Sequence, residues 1–290
     1  MSTNKNKIKI SVIIPVYNEK RVISNCLASL AKQDINNFEV IVVDDGSEDN
    51  TFIEIKKSKH LHGRSFNLKL LRQAHKGPGE ARNLAAKLAE GNILVFLDAD
   101  MTLDSKFLQR IIEPIKRGVA VGTDSQDGYL GNPENFWARC WNIGRFAAAN
   151  NFTKDYLKYI TTNKKDHGGI FRAILKKDFK RVGGFERGGD YTDDASLAKK
   201  LYIRARIVGA KFYHWNPDTL KEVWLRARWI GSGVNFTRTT ALKVRNLIKF
   251  SLPFSFLKGL VIGFRFGYTR FVIFKIVYDL AIWTSVLKSL

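Results

Sequence analysis

The sequence predicts an α/β fold in which a mostly parallel sheet has helices on both faces and is followed by C-terminal amphipathic helices. Within the first hundred residues, short apolar and β-branched runs alternate with helical stretches, which is typical of parallel sheets. The composition, 45% hydrophobic and 26% charged, is that of a globular chain. From about residue 216 this alternation is replaced by aromatic residues interleaved with Lys and Arg.

The first part of the chain contains four predicted strands separated by predicted helices. The strands are residues 8–15, 38–43, 68–71 and 93–97, and the helices are about 21–32, a stretch capped by Asn50 and Thr51, and 80–89. Open parallel sheets bind ligands at the carboxyl ends of their strands. Tyr17, Asp44, Asp45, Asp98 and Asp100 all fall just past a strand end. We therefore expect a ligand site at that edge of the sheet.

The middle and the C-terminal end of the chain differ in character. Residues 101–215 are predicted to contain helices at 135–150 and 194–204 and strands at 168–174 and 205–214. Residues 216–290 carry 12 basic and three acidic side chains, and their longest run without charge, residues 229–237, is nine residues. A membrane-spanning helix needs about 20 mostly apolar residues. We therefore expect amphipathic helices that lie on an anionic membrane surface.

The net charge and the cysteine content exclude some classes of protein. The formal net charge of +21 requires an anionic partner, which could be nucleic acid, phospholipid head groups or a phosphorylated substrate. Cys26 and Cys140 lie far apart, which excludes a disulfide scaffold or a zinc module and suits a reducing compartment. The N-terminus is basic and shows no signal-peptide pattern, so we expect a cytoplasmic protein. A lipid- or nucleic-acid-binding protein without catalysis is the alternative class. The Phe side chains of residues 216–290 are flanked by Leu, Ile and Val, which favours lipid over nucleic acid as the anionic partner, and we expect no nucleic-acid partner.

Two predicted strands are followed by carboxylates that can carry chemistry. Asp98 and Asp100 come directly after residues 93–97, and at this spacing both can face one divalent cation, Mg²⁺ or Mn²⁺. Asp45 can accept hydrogen bonds from a nucleobase or a ribose, and Tyr17 offers a ring face on which a base can stack. Each of these motifs alone is also typical of an ordinary turn.

Seven short motifs in this order resemble those of the family 2 glycosyltransferases. They are Ser11-Val-Ile-Ile-Pro-Val-Tyr-Asn-Glu19, Val42-Val-Asp-Asp-Gly-Ser47, Gly79-Glu-Ala-Arg-Asn83, Phe96-Leu-Asp-Ala-Asp100, Val182-Gly-Gly-Phe-Glu186, Tyr191-Thr-Asp-Asp194 and Phe212-Tyr-His-Trp215. The resemblance implies a GT-A fold over residues 1–215, with a nucleotide-binding half (1–100) and an acceptor half (101–215), before a membrane-associating region (216–290). It also implies transfer of a sugar from a nucleotide donor with inversion at the anomeric carbon.

The resemblance also assigns roles to individual residues. The nucleoside pocket would be lined by Pro15, Tyr17, Glu19 and Asp45, Arg82 would reach the base or the diphosphate, Asp98 would hold ribose and metal, and Asp100 and His214 would hold the metal. Asp194 would be the general base for an acceptor hydroxyl on a glycolipid, a lipid-linked oligosaccharide or a surface polysaccharide. The family usually has Glu-Asp where this chain has Asp193-Asp194, and Asp193 could instead cap a helix. A polyprenyl-phosphate acceptor, which needs no base, is the enzymatic alternative.

Overall fold

The computed structural model describes residues 9–62, 66–148, 158–159, 170–186 and 196–290. The chain divides into two compact units. The first contains the described parts of Met1–Gly128 and Lys164–Tyr213, and the second contains those of Tyr129–Asn163 and His214–Leu290. The predicted division after residue 215, into a catalytic domain and a membrane-associating region, is a functional division and stays a prediction.

Strands and helices alternate along most of the described chain up to residue 214. In chain order the elements are β1 (Ile10–Val16), α1 (Ile23–Ala31), β2 (Phe38–Asp44), α2 (Thr51–His62), β3 (Asn67–Arg72), α3 (Pro78–Leu88), β4 (Ile93–Phe96), β5 (Met101–Leu103), α4 (Phe107–Lys116), β6 (Gly122–Ser125) and β7 (Gly128–Leu130). After α5 (Phe136–Ala148) and β8 (Lys158–Tyr159) come β9 (Ala173–Leu175), α6 (Lys176–Arg181), α7 (Ser196–Leu201), β10 (Arg206–Val208) and β11 (Phe212–His214). β5, β7, β8 and β11 are short strands outside the main sheet.

A seven-stranded sheet in the order β10-β6-β9-β4-β1-β2-β3 forms the centre of the first unit. β1 pairs in parallel with β2 and β4, β2 pairs in parallel with β3, and β6 with β10. β9 is antiparallel to both of its neighbours, β4 and β6. Every residue of β1, β2 and β4 is buried, as expected for apolar strands covered on both faces. The predicted mostly parallel α/β fold is confirmed.

The strand order reverses at β1. Along the chain, β2 and β3 are added on one side of β1, and β4 then lies on its other side. A reversal of this kind opens a crevice at the carboxyl ends of the strands, where open α/β sheets bind ligands. Ile13 of β1 lies opposite Phe96 of β4, so Tyr17 and Asp98 follow the ends of neighbouring strands. Tyr17 and Asp98 therefore lie at the switch point.

Elements in the last part of the first unit differ from those expected. The single strand predicted at 205–214 is two strands, β10 and β11. The turn between them is fixed by Ser125, whose Oγ donates a hydrogen bond to the carbonyl of Ala210, 2.6 Å away. The helix predicted at 194–204 is described from Ser196 and ends at Leu201, because Tyr202 adopts a left-handed conformation with φ 56°. Residues 194 and 195 lie outside the described residues.

The second unit is mainly helical. Besides α5 it contains α8 (Leu220–Ser232), α9 (Val234–Thr237), α10 (Thr240–Lys249), α11 (Leu252–Phe266) and α12 (Phe271–Lys288). Phe271 and Phe274 of α12 pack in one apolar cluster with Trp141 of α5 and Val223 of α8. Gly231 allows α8 to approach α12 closely, because a Cβ at this position would lie 2.8 Å from the Cα of Ile282. The predicted C-terminal helices are thus present.

α12 contains a buried ion pair between two of the charged side chains of residues 216–290. Asp279 is fully buried and accepts hydrogen bonds from Ser255 Oγ, at 2.8 Å, and from Lys275 Nζ. Burial lowers the pKa of Lys275, and the charge of Asp279 opposes this shift. Lys275 therefore stabilises the helix packing and contributes no charge to the protein surface.

α10 and α11 are separated by a short break. α10 begins after Thr239, whose Oγ1 accepts a hydrogen bond from Leu242 N, and α11 ends at Gly267, which has φ 71°. Of the described helices, none is long and apolar enough on its own to cross a membrane. α10 and α11 together reach the required length and composition, with a bend of 54° between them.

Candidate functional site

The turn after β2 is closed by Asp44 and requires a glycine. Asp44 is fully buried, and its Oδ1 accepts a hydrogen bond from Ser47 N at 3.0 Å, while its Oδ2 lies 3.2 Å from Arg72 Nε. Gly46 has φ +81°, and a Cβ there would lie 2.9 Å from His75 N. Glycine adopts a positive φ without strain and has no Cβ that would contact His75 N, which explains the glycine in the Asp-Asp-Gly-Ser motif.

Asp45 organises the loop that leads into α3. Its Oδ1 accepts hydrogen bonds from Gln73 Nε2 at 2.6 Å and from Lys76 N at 2.9 Å. Its Oδ2 accepts one from Gly77 N at 2.8 Å and lies 2.9 Å from His75 Nδ1. The buried carboxylate therefore shapes residues 73–77 at the edge of the crevice. A direct contact of Asp45 with a nucleoside stays a prediction.

Tyr17 lies at the carboxyl end of β1 and stacks on His75. The two ring centroids are 4.1 Å apart, and the tyrosine is 40% exposed. Asn18 adopts φ 55°, and its backbone N–H donates a hydrogen bond to Ser47 Oγ at 2.9 Å. The strained conformation of Asn18 fixes the direction in which Tyr17 and Glu19 leave the strand. The aromatic surface expected for a base is thus a Tyr17–His75 pair.

Asp98 lies between two buried guanidinium groups. Its Oδ1 accepts a hydrogen bond from Arg82 of α3 at 2.9 Å, and its Oδ2 accepts one from Arg172, just before β9, at 3.1 Å. Both arginine side chains are only 6% exposed. The two arginines fix the orientation of Asp98 and bring two positive charges to the carboxyl end of β4. An anionic ligand at this edge would meet both.

Asp100 and Asp98 create a negative field in their surroundings. Asp100 is buried, and the Sγ of Cys26 in α1 lies 3.8 Å from the carbonyl oxygen of Asp98. Burial raises the pKa of the Cys26 thiol, and the charges of Asp100 and Asp98 raise it further. The thiol therefore stays neutral at physiological pH and is excluded as a nucleophile.

Two of the sequence motifs contact each other directly. Asn83 of α3 donates from Nδ2 to the carbonyl of Phe185 at 3.1 Å, and its Oδ1 accepts from Phe185 N at 2.9 Å. Gly184 has φ +75°, and a Cβ there would lie 2.4 Å from Asn83 Oδ1. The Gly-Gly-Phe segment is therefore anchored to the helix that carries Arg82. Glu186 N in turn donates to Ser196 Oγ at 3.1 Å, which joins the two ends of residues 187–195.

The other predicted site residues lie outside the described part of the chain or are placed by the element that contains them. Asp193 and Asp194 lie outside the described residues. His214 is the last residue of β11 and belongs to the second unit. Pro15 is buried within β1. The ligand-binding and catalytic roles of all these residues stay predictions, as do those of Tyr17, Glu19, Asp45, Arg82, Asp98 and Asp100.

Sequence reasoning missed Arg172 and His75. A signal for Arg172 existed, because it is the one charged residue in the apolar run 170–174, and a buried charge requires a partner. That partner is Asp98. His75 carried no such signal, since it lies in a polar stretch and its contact with Tyr17 depends on the turn at Gly46.

Comparison with known proteins agrees with this architecture. A model described as Glycosyl transferase family 2 matches residues 11–183. Poly(ribitol-phosphate) beta-N-acetylglucosaminyltransferase TarS of Staphylococcus aureus (strain Mu50 / ATCC 700699) is 42% identical over 106 residues, which are 35% of this chain and 18% of that protein. The match therefore spans less than a fifth of the S. aureus protein.

Solved structures share the fold at low sequence identity. The crystal structure of S. aureus TarS 1-349 in complex with UDP-GlcNAc gives a TM-score of 0.55 at 20% identity, over 97% of this chain and 92% of that one. Mannosyltransferase PcManGT from Pyrobaculum calidifontis, in complex with GDP-Man and Mn²⁺, gives 0.53 at 19% identity, over 97% and 87%. The expected GT-A fold is thereby confirmed. Because the family match covers more than half of the sequence and includes Tyr17, Asp45, Arg82 and Asp98, the chain belongs to glycosyl transferase family 2.

Proposed function

We propose that the protein is an inverting, metal-dependent glycosyltransferase that moves a sugar from a nucleotide-sugar donor to an acceptor hydroxyl. The observation that carries the proposal is the Asp98-Ala-Asp100 segment at the switch point of the sheet, where Arg82 and Arg172 hold Asp98 from both sides. A nucleoside diphosphate needs this combination, since its leaving oxygens develop negative charge as the glycosidic bond breaks.

The donor set suits Mg²⁺ or Mn²⁺. Asp98 and Asp100 supply carboxylate oxygens and His214 supplies an imidazole nitrogen, a set that divalent cations of this kind bind. Asp98 Oδ1 accepts a hydrogen bond from Arg82 and Oδ2 accepts one from Arg172, and we propose that the carboxylate oriented in this way also reaches the cation. When bound, the cation would neutralise charge on the diphosphate as a Lewis acid. The solved structure of PcManGT, a structural neighbour, is a complex with GDP-Man and Mn²⁺.

The donor nucleoside is assigned to the ends of β1 and β2. Tyr17 offers a ring to the base, and Glu19 offers an acceptor for its N–H groups or for ribose hydroxyls. Asp45 and Pro15 complete this side of the pocket, with Asp45 also holding residues 73–77 in shape. UDP-GlcNAc in TarS and GDP-Man in PcManGT are donors of the class we propose.

On the acceptor side we propose that Asp194 removes the proton from the attacking hydroxyl. A hydroxyl is a poor nucleophile at neutral pH, and inversion in one step requires a base on the face opposite the leaving group. Ser196, two residues after Asp194, is tied to Glu186 next to the segment that Asn83 anchors to α3. The acceptor is a glycan or a lipid-linked molecule, and the reaction takes place at the cytoplasmic face of the cell membrane, without a nucleic-acid partner.

Nucleotide-sugar binding tests the proposal directly. In a panel of UDP-, GDP- and TDP-sugars with Mn²⁺, at least one donor is expected to raise the melting temperature and to be slowly hydrolysed. Asp45→Asn replaces one of the two carboxylate oxygens by an NH₂ group, which cannot accept the hydrogen bond of Lys76 N or of Gly77 N, so the affinity for the nucleotide sugar should fall about tenfold or more. Glu48→Gln, at an exposed position, is the matched control and should bind normally. A protein indifferent to every donor would contradict the proposed function.

Arg172 is expected to contribute to turnover as a positioning residue. In Arg172→Gln one oxygen of Asp98 loses its charged partner and the leaving diphosphate loses one nearby positive charge, so kcat should fall by about 10- to 100-fold. KM for the donor should change less than kcat, because the lost positive charge matters most in the transition state, where negative charge develops on the diphosphate. Arg172→Lys should recover part of the activity. The exposed Arg181→Gln serves as control, and equal kinetics for Arg172→Gln and the wild type would remove Arg172 from the mechanism.

A further inference from the structure

One face of α11 is apolar although it is exposed. Its side chains recur at positions i, i+3, i+7 and i+10, which form a single stripe on a helix. The stripe consists of Phe254, Leu257, Val261 and Phe264, whose exposed fractions run from 49% to 78%. Monomeric soluble proteins rarely expose so continuous an apolar surface without using it.

The packing of α11 on α12 forces this stripe outward. The opposite face of α11 has the small buried residues Ser255, Gly259 and Gly263. A Cβ at Gly259 would lie 2.8 Å from the Cα of Val272 in α12, so only this face allows the two helices to approach. The hydrogen bond from Ser255 to Asp279 fixes the same orientation. The large side chains of α11 thus have no place inside the unit.

α10, which directly precedes α11, also exposes apolar side chains and positive charge. Its Val244 and Ile248 are about half exposed, and Arg245 and Lys249 are exposed next to them. Over residues 236–290, all of which the structure describes, the one acidic side chain is Asp279, and it is buried. The exposed part of these helices therefore combines apolar side chains with positive charge and carries no carboxylate side chain.

We propose that α10 and α11 form a docking surface for an anionic phospholipid bilayer, made by Val244, Ile248, Phe254, Leu257, Val261 and Phe264. A lipid bilayer matches both the exposed apolar side chains and the positive charge. Its acyl chains contact the apolar stripe, and its anionic head groups pair with Arg245 and Lys249. Fifteen helical residues span about 22 Å, less than the roughly 30 Å of a hydrocarbon core, and one face of α11 is held by α12. α11 therefore lies in the plane of the interface.

The docking surface gives the membrane location of the proposed function a physical basis, and its test does not depend on glycosyl transfer. The full chain is sedimented with vesicles of phosphatidylcholine alone, or with about one third phosphatidylglycerol. The variant Leu257→Ser/Val261→Ser/Phe264→Ser is compared with Val119→Ser/Tyr202→Ser/Ile207→Ser, which removes equally exposed apolar side chains from the first unit. Melting temperature and UDP–Mn²⁺ binding are measured for each protein.

The wild type and the control variant are expected to bind the anionic vesicles, and neutral vesicles more weakly. Three half-exposed apolar side chains entering the interface predict about 100-fold weaker partition for the α11 variant. Equal vesicle binding by the α11 variant and the wild type would overturn the proposal. A wild-type dimer that the α11 substitutions dissociate, without vesicle binding, would assign the surface to a second copy instead. Vesicle binding through α11 by a protein that binds no nucleotide would sink the proposed function and leave the docking surface intact.

Discussion

Removing divalent cations with EDTA is expected to abolish glycosyl transfer, and Asp100→Asn is expected to lower kcat by about 10³-fold. Asp100 lies past the end of β4 and, in the proposed mechanism, serves only to hold the cation against the diphosphate. Asn keeps the size of the side chain and removes its charge, so the affinity for Mn²⁺ should fall as well. Steady-state kinetics and Mn²⁺ titration of the variant measure both effects.

Asp104→Asn is the matched control for this substitution. Asp104 follows β5, and its Oδ1 accepts a hydrogen bond from Lys106 N, a contact that Asn can keep. Its kinetics and Mn²⁺ affinity should equal those of the wild type. Full transfer by the wild type in EDTA, or normal Mn²⁺ binding by Asp100→Asn, would remove the cation from the mechanism and leave Arg82 and Arg172 as the groups that neutralise the leaving diphosphate.

The sheet could be predicted from local pattern because its strands are buried on both faces. β1, β2 and β4 are mostly apolar runs, and each is followed by a polar turn, so their positions were expected to within a few residues. The residues past their ends follow from the alternation of strands and helices, which places Tyr17, Asp45 and Asp98 at one edge. The local sequence pattern is therefore sufficient to predict a strand that is buried on both faces.

Contacts between residues that are far apart along the chain could not be predicted from the sequence. Arg172 is 74 residues from Asp98, and its pairing depends on β9, an antiparallel strand inserted between β4 and β6. Lys275 is one of the 12 basic side chains of residues 216–290, but its ion pair with Asp279 is buried, which the sequence does not indicate. The composition of the C-terminal helices also does not show that α12 packs inside the second unit while α11 carries an exposed apolar face.

Asp194→Asn is expected to lower kcat by about 10²–10⁴-fold, the range for losing a general base. A one-step displacement needs a carboxylate behind the acceptor hydroxyl. In the proposed mechanism Asp98, which two arginines hold, already serves the leaving-group side. Asn keeps the shape of the side chain but cannot take up the proton at neutral pH. Donor affinity should be almost unchanged, because in the proposed mechanism Asp194 does not touch the nucleotide. Single-turnover kinetics and donor titration separate the two quantities.

Asp193→Asn decides between the two neighbouring carboxylates. If Asp194 is the base, Asp193→Asn should keep most of its activity, since a helix cap tolerates Asn as well as Asp. The opposite result, an active Asp194→Asn and an inactive Asp193→Asn, would move the role of base by one residue. Activity in both variants would mean that the acceptor needs no base at all. An acceptor that is already anionic, such as a polyprenyl phosphate, behaves in this way, and the hydroxyl acceptor would then have to be given up.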